Sequence, residues 1–335
     1  MQNHLKTTIY FKSKPAILAT ATIAGKKEGE GHLGKYIGKI IDDDLFGEKT
    51  FEKAECKMLS FAVENAIKHA NYDVKDIDAL ISGDLLNQII SSAFSAREIP
   101  VPYIGIYNAC STFSEGLALA SIMVDGGYMK NVAVATSSHF ATAERQYRYP
   151  LELGCVRPPQ SQWTVTGAGS AIISDVRGDY PRIVAATFGT VTDYGVTDAN
   201  NMGAAMAPAA MSTITTHLKN TGHSPDYYDL IVTGDLGALG SRILKKLMSE
   251  KGYDIDPNHV DCGELIYNID EKEFQGGSGA GCSAVVLNSY LYHKMMTKQI
   301  KRILFVATGA LLSTLSTQQG ESIPSIAHAV EIENI

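Results

Sequence analysis

Residues 78–88 read DALISGDLLNQ, and residues 229–240 read DLIVTGDLGALG. Each stretch is a short aliphatic run that closes on Gly-Asp-Leu, a pattern typical of a buried strand followed by a turn. The two copies lie 151 residues apart, measured from Asp84 to Asp235. A repeat over that distance indicates that the chain contains two related halves.

A second pair of similar stretches follows the first in the same order. Residues 130–137 read KNVAVATS, and residues 301–309 read KRILFVATG. The offset here is 172 residues, from Val134 to Val306, so the second half is expected to carry an insertion. One short match arises easily by chance, but two in the same order favour a duplication.

Both halves are predicted to alternate strands with helices, which favours a mostly parallel sheet with helices on its faces. Two such halves give five layers, with one helix from each half between two sheets. The stretches LALASIMV (117–124) and SGAGCSAVV (278–286) are poor in charge, as such central helices must be. Strands are expected at 15–23, 77–82, 103–107, 132–136, 170–175, 182–186, 230–233, 303–307 and 326–331, and helices at 52–70, 110–126, 208–219 and 276–292.

The predicted halves are residues 1–177 and 178–335. The first half contains a long polar insertion at about 141–167. Long structured loops in α/β proteins often carry a binding site or a partner surface. An ordinary surface excursion explains this insertion equally well.

Composition excludes several classes of function. The 335 residues carry 29 basic and 36 acidic side chains, a net charge of −7, which argues against nucleic-acid binding and against a polybasic membrane anchor. No apolar run is long enough to span a bilayer, and residues 1–14 lack the apolar core of a signal peptide. The five cysteines form no C-x-x-C pair, so neither a zinc ribbon nor a disulfide framework is indicated: Cys56, Cys110, Cys155, Cys262 and Cys282. A cytosolic α/β protein is expected.

Cys110 is the most conspicuous candidate for chemistry. It lies in NACST (108–112), between a predicted strand and a predicted buried helix. A thiol at a helix N-terminus is close to unpaired N–H groups and to the positive end of the helix dipole, which lower its pKa. A small buried cysteine that serves packing alone is the competing interpretation.

The strand-NACS-helix element resembles the nucleophile element of the thiolase superfamily, which includes ketoacyl synthases. The duplicated halves and GGSGAGCSA (276–284) resemble that superfamily as well, over roughly residues 15 to 331. This implies a thiolase-like five-layer αβαβα fold. Five segments resemble, more specifically, the stage V sporulation protein AD family of endospore-forming bacteria: SGDLLNQ (82–88), SSHFATAERQYRYP (137–150), MGAAMAPAA (202–210), VTGDL (232–236) and ATGALLS (307–313).

The resemblance to condensing enzymes also shows what this chain lacks. Those enzymes place a histidine after a second-half strand, where this chain has Thr233-Gly234-Asp235. They place an asparagine or histidine at the start of the second central helix, where this chain has FQGGS at 274–278. Condensation needs a general base and donors for an oxyanion. We therefore expect a protein that is not an enzyme; the alternative is an acyltransferase that uses Cys110 with another set of helpers.

The sporulation family implies binding of dipicolinate (pyridine-2,6-dicarboxylate), alone or with calcium, during its uptake into the developing spore. No cofactor is implied. Arginine side chains suit carboxylates, but the pair at 145 and 148 also fits a solvent or dimer surface, and His139 also fits a structural role. Asp235 is an awkward neighbour for an anion unless it is protonated, pairs with arginine or shares calcium with the ligand. The expected ligand-binding residues are Cys110, Ser137, Ser138, His139, Arg145, Arg148, Asp235, Gly276, Gly277, Ser278 and Gly309.

The same resemblance implies partners and a location. The expected partners are membrane proteins of the same sporulation operon, with peripheral attachment at the cytoplasmic face of the spore or forespore inner membrane. A homodimer is expected through the edge of the first-half sheet, at 132–136 or its neighbour. A structural adaptor with a vestigial pocket is a third, weaker hypothesis.

Overall fold

The computed structural model describes residues 7–147, 154, 156–268 and 275–334. The strands are β1 (Thr8–Tyr10), β2 (Ala16–Ala24), β3 (Lys39–Ile40), β4 (Ala79–Gly83), β5 (Tyr103–Gly105), β6 (Asn131–Ser138), β7 (Trp163–Thr164), β8 (Gly167–Ser174), β9 (Pro181–Phe188), β10 (Leu230–Thr233), β11 (His259–Asp261), β12 (Gly277–Ser278), β13 (Arg302–Ala310) and β14 (Ser325–Asn334). The helices are α1 (Lys26–Gly29), α2 (Phe51–His69), α3 (Ile90–Glu98), α4 (Thr112–Asp125), α5 (Phe140–Tyr147), α6 (Met202–Thr221), α7 (Gly237–Glu250), α8 (Cys262–Ile266), α9 (Ala280–Val286), α10 (Tyr292–Met296) and α11 (Thr314–Gln318). A π-helical segment, Leu287–Leu291, joins α9 to α10.

The two halves have the same strand order. The first half runs β5-β4-β6-β8-β2, and the second runs β11-β10-β13-β14-β9. In both, the first three strands are parallel and the last two pair antiparallel to their neighbours. The two sequence repeats therefore lie on equivalent strands, β4 with β10 and β6 with β13. A single pair, Ala16 with Arg182, connects the two halves of the sheet between β2 and β9.

Five layers result from this arrangement. Helices α2 and α3 cover the outer face of the first half-sheet, and α6 and α7 cover that of the second. Helices α4 and α9 lie between the half-sheets, where α4 contacts strands of both. Phe113 and Leu117 of α4 are completely buried, and Phe113 meets Phe305 edge to face at 6.4 Å. Burial of each such side chain contributes about 1.5–3 kcal/mol, so the apolar central helices hold the layers together.

Several elements differ from the sequence expectation. Helix α7 was not predicted, because Gly237 and Gly240 in its first turn are weak helix formers. The structure supplies the reason for Gly240: a Cβ there would come within 3.0 Å of backbone atoms of Gly203 on α6, so glycine lets the two helices touch. Helix α6 begins at Met202 rather than near Pro208, which lies inside it. The predicted insertion at 141–167 contains most of α5 and all of β7.

The edge of the first half-sheet also differs from the expectation. Residues 132–136 belong to β6, which lies inside the sheet with β4 on one side and β8 on the other. Both of its edges are already hydrogen-bonded, so it is not available for pairing with a second copy. The terminal strand of this half is β5, Tyr103–Gly105. Within the described part of the chain, none of the helices combines the length and apolar character needed to cross a bilayer.

Candidate functional site

Cys110 lies in a tight turn between β5 and α4, as the sequence predicted. Ala109 adopts a left-handed conformation with φ of +50°, which turns the chain sharply before the helix. The carbonyl oxygen of Asn108 accepts hydrogen bonds from the amide of Ser111 at 3.1 Å and from its hydroxyl at 2.8 Å. These bonds fix the turn and direct the thiol toward the centre of the molecule, where Cys110 is only 6% exposed.

Two glycines allow other strands to approach this turn. A Cβ on Gly309 of β13 would lie 2.3 Å from the carbonyl oxygen of Asn108, so only glycine fits there. Gly279 adopts a φ of +113° just before α9, a conformation that favours glycine. Its amide consequently points at Asp235, to which it donates a hydrogen bond at 3.1 Å.

The carboxylate of Asp235 is the side chain that faces the thiol. It is 1% exposed and follows directly after β10. One of its oxygens accepts from the hydroxyl of Thr308 at 2.7 Å, and the other accepts from the hydroxyl of Ser278 at 3.0 Å and from the Gly279 amide. This carboxylate also lies close enough to the thiol of Cys110 for its negative charge to disfavour the thiolate. Asp235 thus connects β10, β13, the start of α9 and the cysteine turn.

This pairing keeps the thiol protonated. Burial, followed by the negative charge of Asp235 and the hydrogen bond to it, raises the pKa of Cys110 well above its usual value. Burial also raises the pKa of Asp235, although the four donors around it act in the opposite direction. Of the two interpretations of Cys110 that the sequence allowed, the pKa favours the buried cysteine, because desolvation outweighs the effect of the helix dipole.

A basic side chain beside the sulfur is missing from the described residues. None of the hydrogen bonds made by the described histidines reaches Cys110. Of these histidines, His328 on β14 contacts the residue nearest to Cys110 in the chain. Its Nε2 lies 3.3 Å from the side-chain nitrogen of Asn108, two residues before the cysteine. Its Nδ1 accepts from the amide of Gly189, and burial lowers its pKa to about 4. The described residues also contain no group of three or more His, Cys, Asp or Glu side chains suited to a metal ion.

A narrow chamber of about 30 Å³ opens onto the thiol. Its wall is largely apolar and comprises Leu85, Tyr107, Ala109, Cys110, Ala143, Tyr147, Thr164, Met202, Ser278, Ala310 and Leu312. A larger cleft of about 510 Å³ adjoins it and is lined by Leu86, Asn87, Gln88, Ile89, Tyr107, Gln146, Tyr147, Leu312, Ser313, Thr314 and Leu315. Small-molecule sites occupy about 300–1,000 Å³, so of these two neighbouring cavities the outer cleft, and not the chamber, has the size of a ligand site.

The predicted donors Ser137, Ser138 and His139, at and just after the end of β6, do not line this chamber or this cleft. The hydroxyl of Ser137 donates to Glu55 at 2.9 Å, and that of Ser138 donates to the carbonyl of Val165 at 2.7 Å. His139 is buried, and its Nε2 lies 2.8 Å from the carbonyl oxygen of Asp44. These three side chains bind neighbouring segments of the chain, which is the structural alternative for His139.

The structure describes one of the two predicted arginines, Arg145. Arg145 is about half exposed and pairs with Glu52 at 3.5 Å, with its guanidinium over the ring of Phe51. It therefore extends away from the chamber, toward α2. Arg148 lies outside the described residues, as does Phe274 at the expected second helper position.

The glycine-rich segment before α9 serves mainly to shape the backbone. Gly277 belongs to β12, which pairs with β7, and Gly276 accepts a hydrogen bond from the amide of Trp163 at 2.8 Å. Gln162 donates from its side chain to the carbonyl oxygens of Gly277 and Asp235, at 2.9 and 2.6 Å. Gln162, which belongs to the predicted insertion, thus contacts the backbone of Asp235. Of this segment, Ser278 is the residue that lines the chamber.

Sequence reasoning missed four residues that shape the site. Gln162 and His328 had no motif to mark them, because each reaches the site through long-range packing. Tyr107 and Tyr147 line both the chamber and the cleft. Tyr147 lies within SSHFATAERQYRYP, where the arginines drew attention instead. One sequence signal could have indicated these two tyrosines: each is an aromatic residue near the end of an element that flanks the cysteine.

Comparisons with known proteins agree with this architecture. The profile described as Stage V sporulation protein AD (SpoVAD) matches residues 5–333. Stage V sporulation protein AD of Bacillus subtilis (strain 168) is 45% identical over 328 residues, covering 98% of this chain and 97% of that protein. The fold is similar to that of 3-oxoacyl-[acyl-carrier-protein] synthase III from Aquifex aeolicus VF5, with 15% identity, a TM-score of 0.60 and coverage of 95% and 99% of the two chains. Cerulenin-bound OleA of Xanthomonas campestris gives 14% identity, a TM-score of 0.61 and coverage of 98% of both chains.

Proposed function

Because this chain belongs to the stage V sporulation protein AD family, we propose that it serves sporulation as a non-catalytic protein that binds dipicolinate during its uptake into the developing spore. The observation that carries the proposal is the pairing of Cys110 with the buried carboxylate of Asp235. The fold keeps a cavity at the thiol, while the group that faces the sulfur is an acid rather than a base.

The chemistry of this pair argues against acyl transfer. A nucleophilic cysteine reacts as the thiolate, and here burial and a neighbouring carboxylate both favour the thiol. Negative charge at Asp235 would also repel the oxyanion or enolate that a condensing enzyme must stabilise. Loss of a single oxyanion donor costs about 2.7–4 kcal/mol of barrier, so replacing a donor by an acid is expected to abolish turnover.

The outer cleft supports a planar ligand. Two tyrosine rings and the leucines at 86, 312 and 315 supply apolar surface, and Asn87, Gln88 and Gln146 supply amides. No lysine or arginine is among the described residues that line it. A ligand with two carboxylates therefore requires another source of positive charge. Calcium bound with dipicolinate would supply that charge, and side-chain oxygens of this kind suit calcium.

The partners and the location are part of the same proposal. We infer a peripheral role at the cytoplasmic face of the inner spore or forespore membrane, through contacts with membrane proteins of the same operon. We also infer a homodimer, and the open edge at β5 supports this geometry better than β6 does.

Calorimetric titration of the full chain with dipicolinate, with and without calcium, tests ligand binding. We expect saturable binding that is stronger with calcium and at least tenfold weaker in Gln146→Ala, which removes an amide from the cleft. Arg145→Ala is the matched neighbour: its side chain pairs with Glu52 outside the cleft, so binding should be unchanged. Absence of saturable binding under both conditions would reject the proposal.

A second measurement addresses the enzymatic alternative. The chain is incubated with labelled acetyl-CoA, and both free CoA and protein-bound label are followed over time. We expect no turnover in the wild type and none in Cys110→Ser. Steady acyl-CoA consumption that disappears in Cys110→Ser would replace the binding function by acyl transfer.

A further inference from the structure

The chamber at Cys110 and the outer cleft share one wall. Tyr107, Tyr147 and Leu312 line both cavities. Tyr107 lies just beyond β5, three residues before the cysteine, and Tyr147 is the last residue of α5. The two tyrosines therefore come from opposite sides of the passage between the cleft and the thiol.

Hydrogen bonds hold these two side chains together. The hydroxyl oxygens of Tyr107 and Tyr147 lie 3.0 Å apart. The hydroxyl of Tyr147 also donates to the carbonyl oxygen of Leu85, which lies in the turn after β4. The side chain of Tyr147 thus links the end of α5 to Tyr107 and to the turn after β4.

The backbone around the passage is held firmly. Gln88 and Ile89 adopt left-handed conformations with φ of +60° and +48°, which is rare for a β-branched residue such as isoleucine. Strain of this kind persists only where the surroundings impose it. Here the carboxylate of Asp84 accepts from the amides of Leu86 and Ser92, at 2.8 and 2.7 Å, and so brackets the turn.

Helix α5 is attached to the same turn. The side chain of Gln146 accepts from the amide of Asn87 and donates to its side-chain oxygen, both at 3.1 Å. Because the backbone on both sides is fixed, opening this wall requires the tyrosine side chains to turn and to break their hydrogen bonds. Tyr107 is 42% exposed, so its ring has solvent space to move into.

The two cavities on either side of this wall differ greatly in volume. The chamber holds about 30 Å³ against about 510 Å³ in the cleft, so a pyridine ring with two carboxylates fits the cleft and not the chamber. We propose that Tyr107 and Tyr147 form a gate, closed in this structure, that must open before a planar aromatic ligand reaches Cys110. This inference rests on the proposed function for the ligand, and it concerns the regulation of that same site.

The gate is tested by chemical modification of Cys110, which requires no dipicolinate. The full chain is treated at one pH with iodoacetamide, which is small, and with a bulky fluorescent maleimide. Peptide mapping by mass spectrometry then gives the rate at each cysteine. In the wild type we expect Cys110 to react measurably with the small reagent and at least tenfold more slowly with the bulky one.

Conservative variants should remove this size selectivity in a defined order. Tyr147→Phe loses the bonds to Tyr107 and Leu85 and should raise the bulky-reagent rate at Cys110 at least tenfold. Tyr107→Phe leaves the Leu85 bond in place and should raise it less. Tyr128→Phe, at a side chain 84% exposed beyond α4, is the matched control and should change nothing. The rate at half-buried Cys56 on α2 should stay constant in all three.

Two outcomes would overturn the gate. One is a bulky-reagent rate in wild type equal to the small-reagent rate, and the other is unchanged selectivity in Tyr147→Phe. Failure of the gate is distinct from failure of the proposed function, because calorimetry reports dipicolinate binding separately. If the variants alter the size selectivity but the protein does not bind dipicolinate, the gate is supported and dipicolinate is rejected as the ligand. If the protein binds dipicolinate but the variants leave the selectivity unaltered, the ligand is supported and the gate is rejected.

Discussion

Cys110 shows which of two opposing effects dominates at a single residue. A helix N-terminus stabilises a nearby negative charge by about 0.3–1 kcal/mol, and by about 2 kcal/mol in favourable sites. Full burial shifts the pKa of an ionisable group by as much as about 3–5 units, at about 1.4 kcal/mol for each unit. Burial therefore prevails, and the carboxylate of Asp235 adds to it. Position at a helix start alone does not make a reactive thiol.

Asp235→Asn should make Cys110 more reactive. The substitution removes the charge that disfavours the thiolate, so the pKa of Cys110 should fall. The rate of modification by iodoacetamide, measured from pH 7 to pH 10, should reach its midpoint at a lower pH than in the wild type. Asp193→Asn, at an exposed carboxylate that bonds Ser322, is the control and should leave the midpoint unchanged. An unchanged or higher midpoint in Asp235→Asn would contradict the assigned contact.

Gly309→Ala should destabilise the fold at the cysteine turn. The added Cβ would lie 2.3 Å from the carbonyl oxygen of Asn108, so either β13 or the turn must move. We expect a loss of about 1–3 kcal/mol in the free energy of unfolding, measured by denaturant titration. Gly127→Ala, where φ is +71° and nothing lies within 4 Å, isolates the effect of backbone strain alone. A smaller loss at 309 than at 127 would argue against the close contact.

Some of the residues that were predicted to lie around Cys110 do lie there, and others do not. Asp235 and Ser278 were expected near Cys110 because they stand where the resemblance to condensing enzymes implies the helpers of the cysteine, and the structure brings both residues close to it. Ser137 and His139 were expected there as well, because they follow the predicted strand at 132–136. Their local patterns could not show that Ser137 contacts Glu55 of α2 or that His139 bonds the loop at Asp44. Those contacts depend on long-range packing.

At the scale of elements, two buried carboxylates anchor the walls of the cleft. Glu55 of α2 accepts from Thr142 of α5 at 2.8 Å, and Asp84 brackets the turn at 86–92. Both are buried, and their charges repel each other, with Glu52 adding to the repulsion at Glu55. Burial raises the pKa of Glu55 to about 8, and it also raises the pKa of Asp84.

This arrangement predicts that stability falls as pH rises. The unfolded chain releases the Glu55 proton near pH 4.3, whereas the folded chain keeps it to about pH 8. Across that window the folded state binds more protons, so the free energy of unfolding should decrease with pH and level off above it. In Glu55→Gln, which cannot ionise, this slope should be absent. From pH 5 to pH 8.5 the free energy of unfolding of the variant, relative to that of the wild type, should therefore rise by at least about 1 kcal/mol.

Denaturant titration at several pH values measures this difference. Glu64→Gln, on the exposed face of the same helix, is the control and should follow the wild-type curve. If Glu55→Gln shows the same slope as the wild type, then Glu55 is not the group that carries the proton.

Elements were predictable where local pattern and tertiary role agree. The aliphatic strands β4, β10 and β13 were found within about two residues at their starts, because each is buried and contains a continuous apolar run. Helix α7 was missed because its glycines exist for contact with α6, a reason outside its own sequence. Helix α9 is followed by the π-helical segment Leu287–Leu291, which no periodicity indicated.

At the scale of the whole molecule, the duplication explains why so much of the fold was visible. Two stretches ending in Gly-Asp-Leu revealed two equivalent strands and, with the second repeat, two equivalent half-sheets. The order of strands within each half was not visible, because it depends on the path of the crossover connections. For that reason the sequence pointed to residues 132–136 as the edge, whereas the structure places β5 there.

The open edge at β5 makes a specific prediction about assembly. An unpaired edge strand beside exposed apolar side chains favours association with another chain. Phe94 and Ile90 on α3, which packs against β5, are 47% and 37% exposed. If two copies pair along β5, Phe94→Glu should dissociate them, because a charge would be buried at the contact. Analytical ultracentrifugation should then show a dimer for the wild type and a monomer for the variant.

Tyr128→Glu introduces the same charge at a side chain that is 84% exposed and lies between α4 and β6, and β6 is separated from β5 by β4. It should remain dimeric. A monomeric wild type would reject the dimer. A Phe94→Glu variant that stays dimeric while Tyr128→Glu dissociates would place the interface away from β5. The cleft begins close to this edge, since Ile89 lines the cleft and lies next to Ile90. A dimer formed at β5 would therefore bring two clefts near the same interface, and dissociation by Phe94→Glu should also change dipicolinate affinity if the second copy closes the cleft.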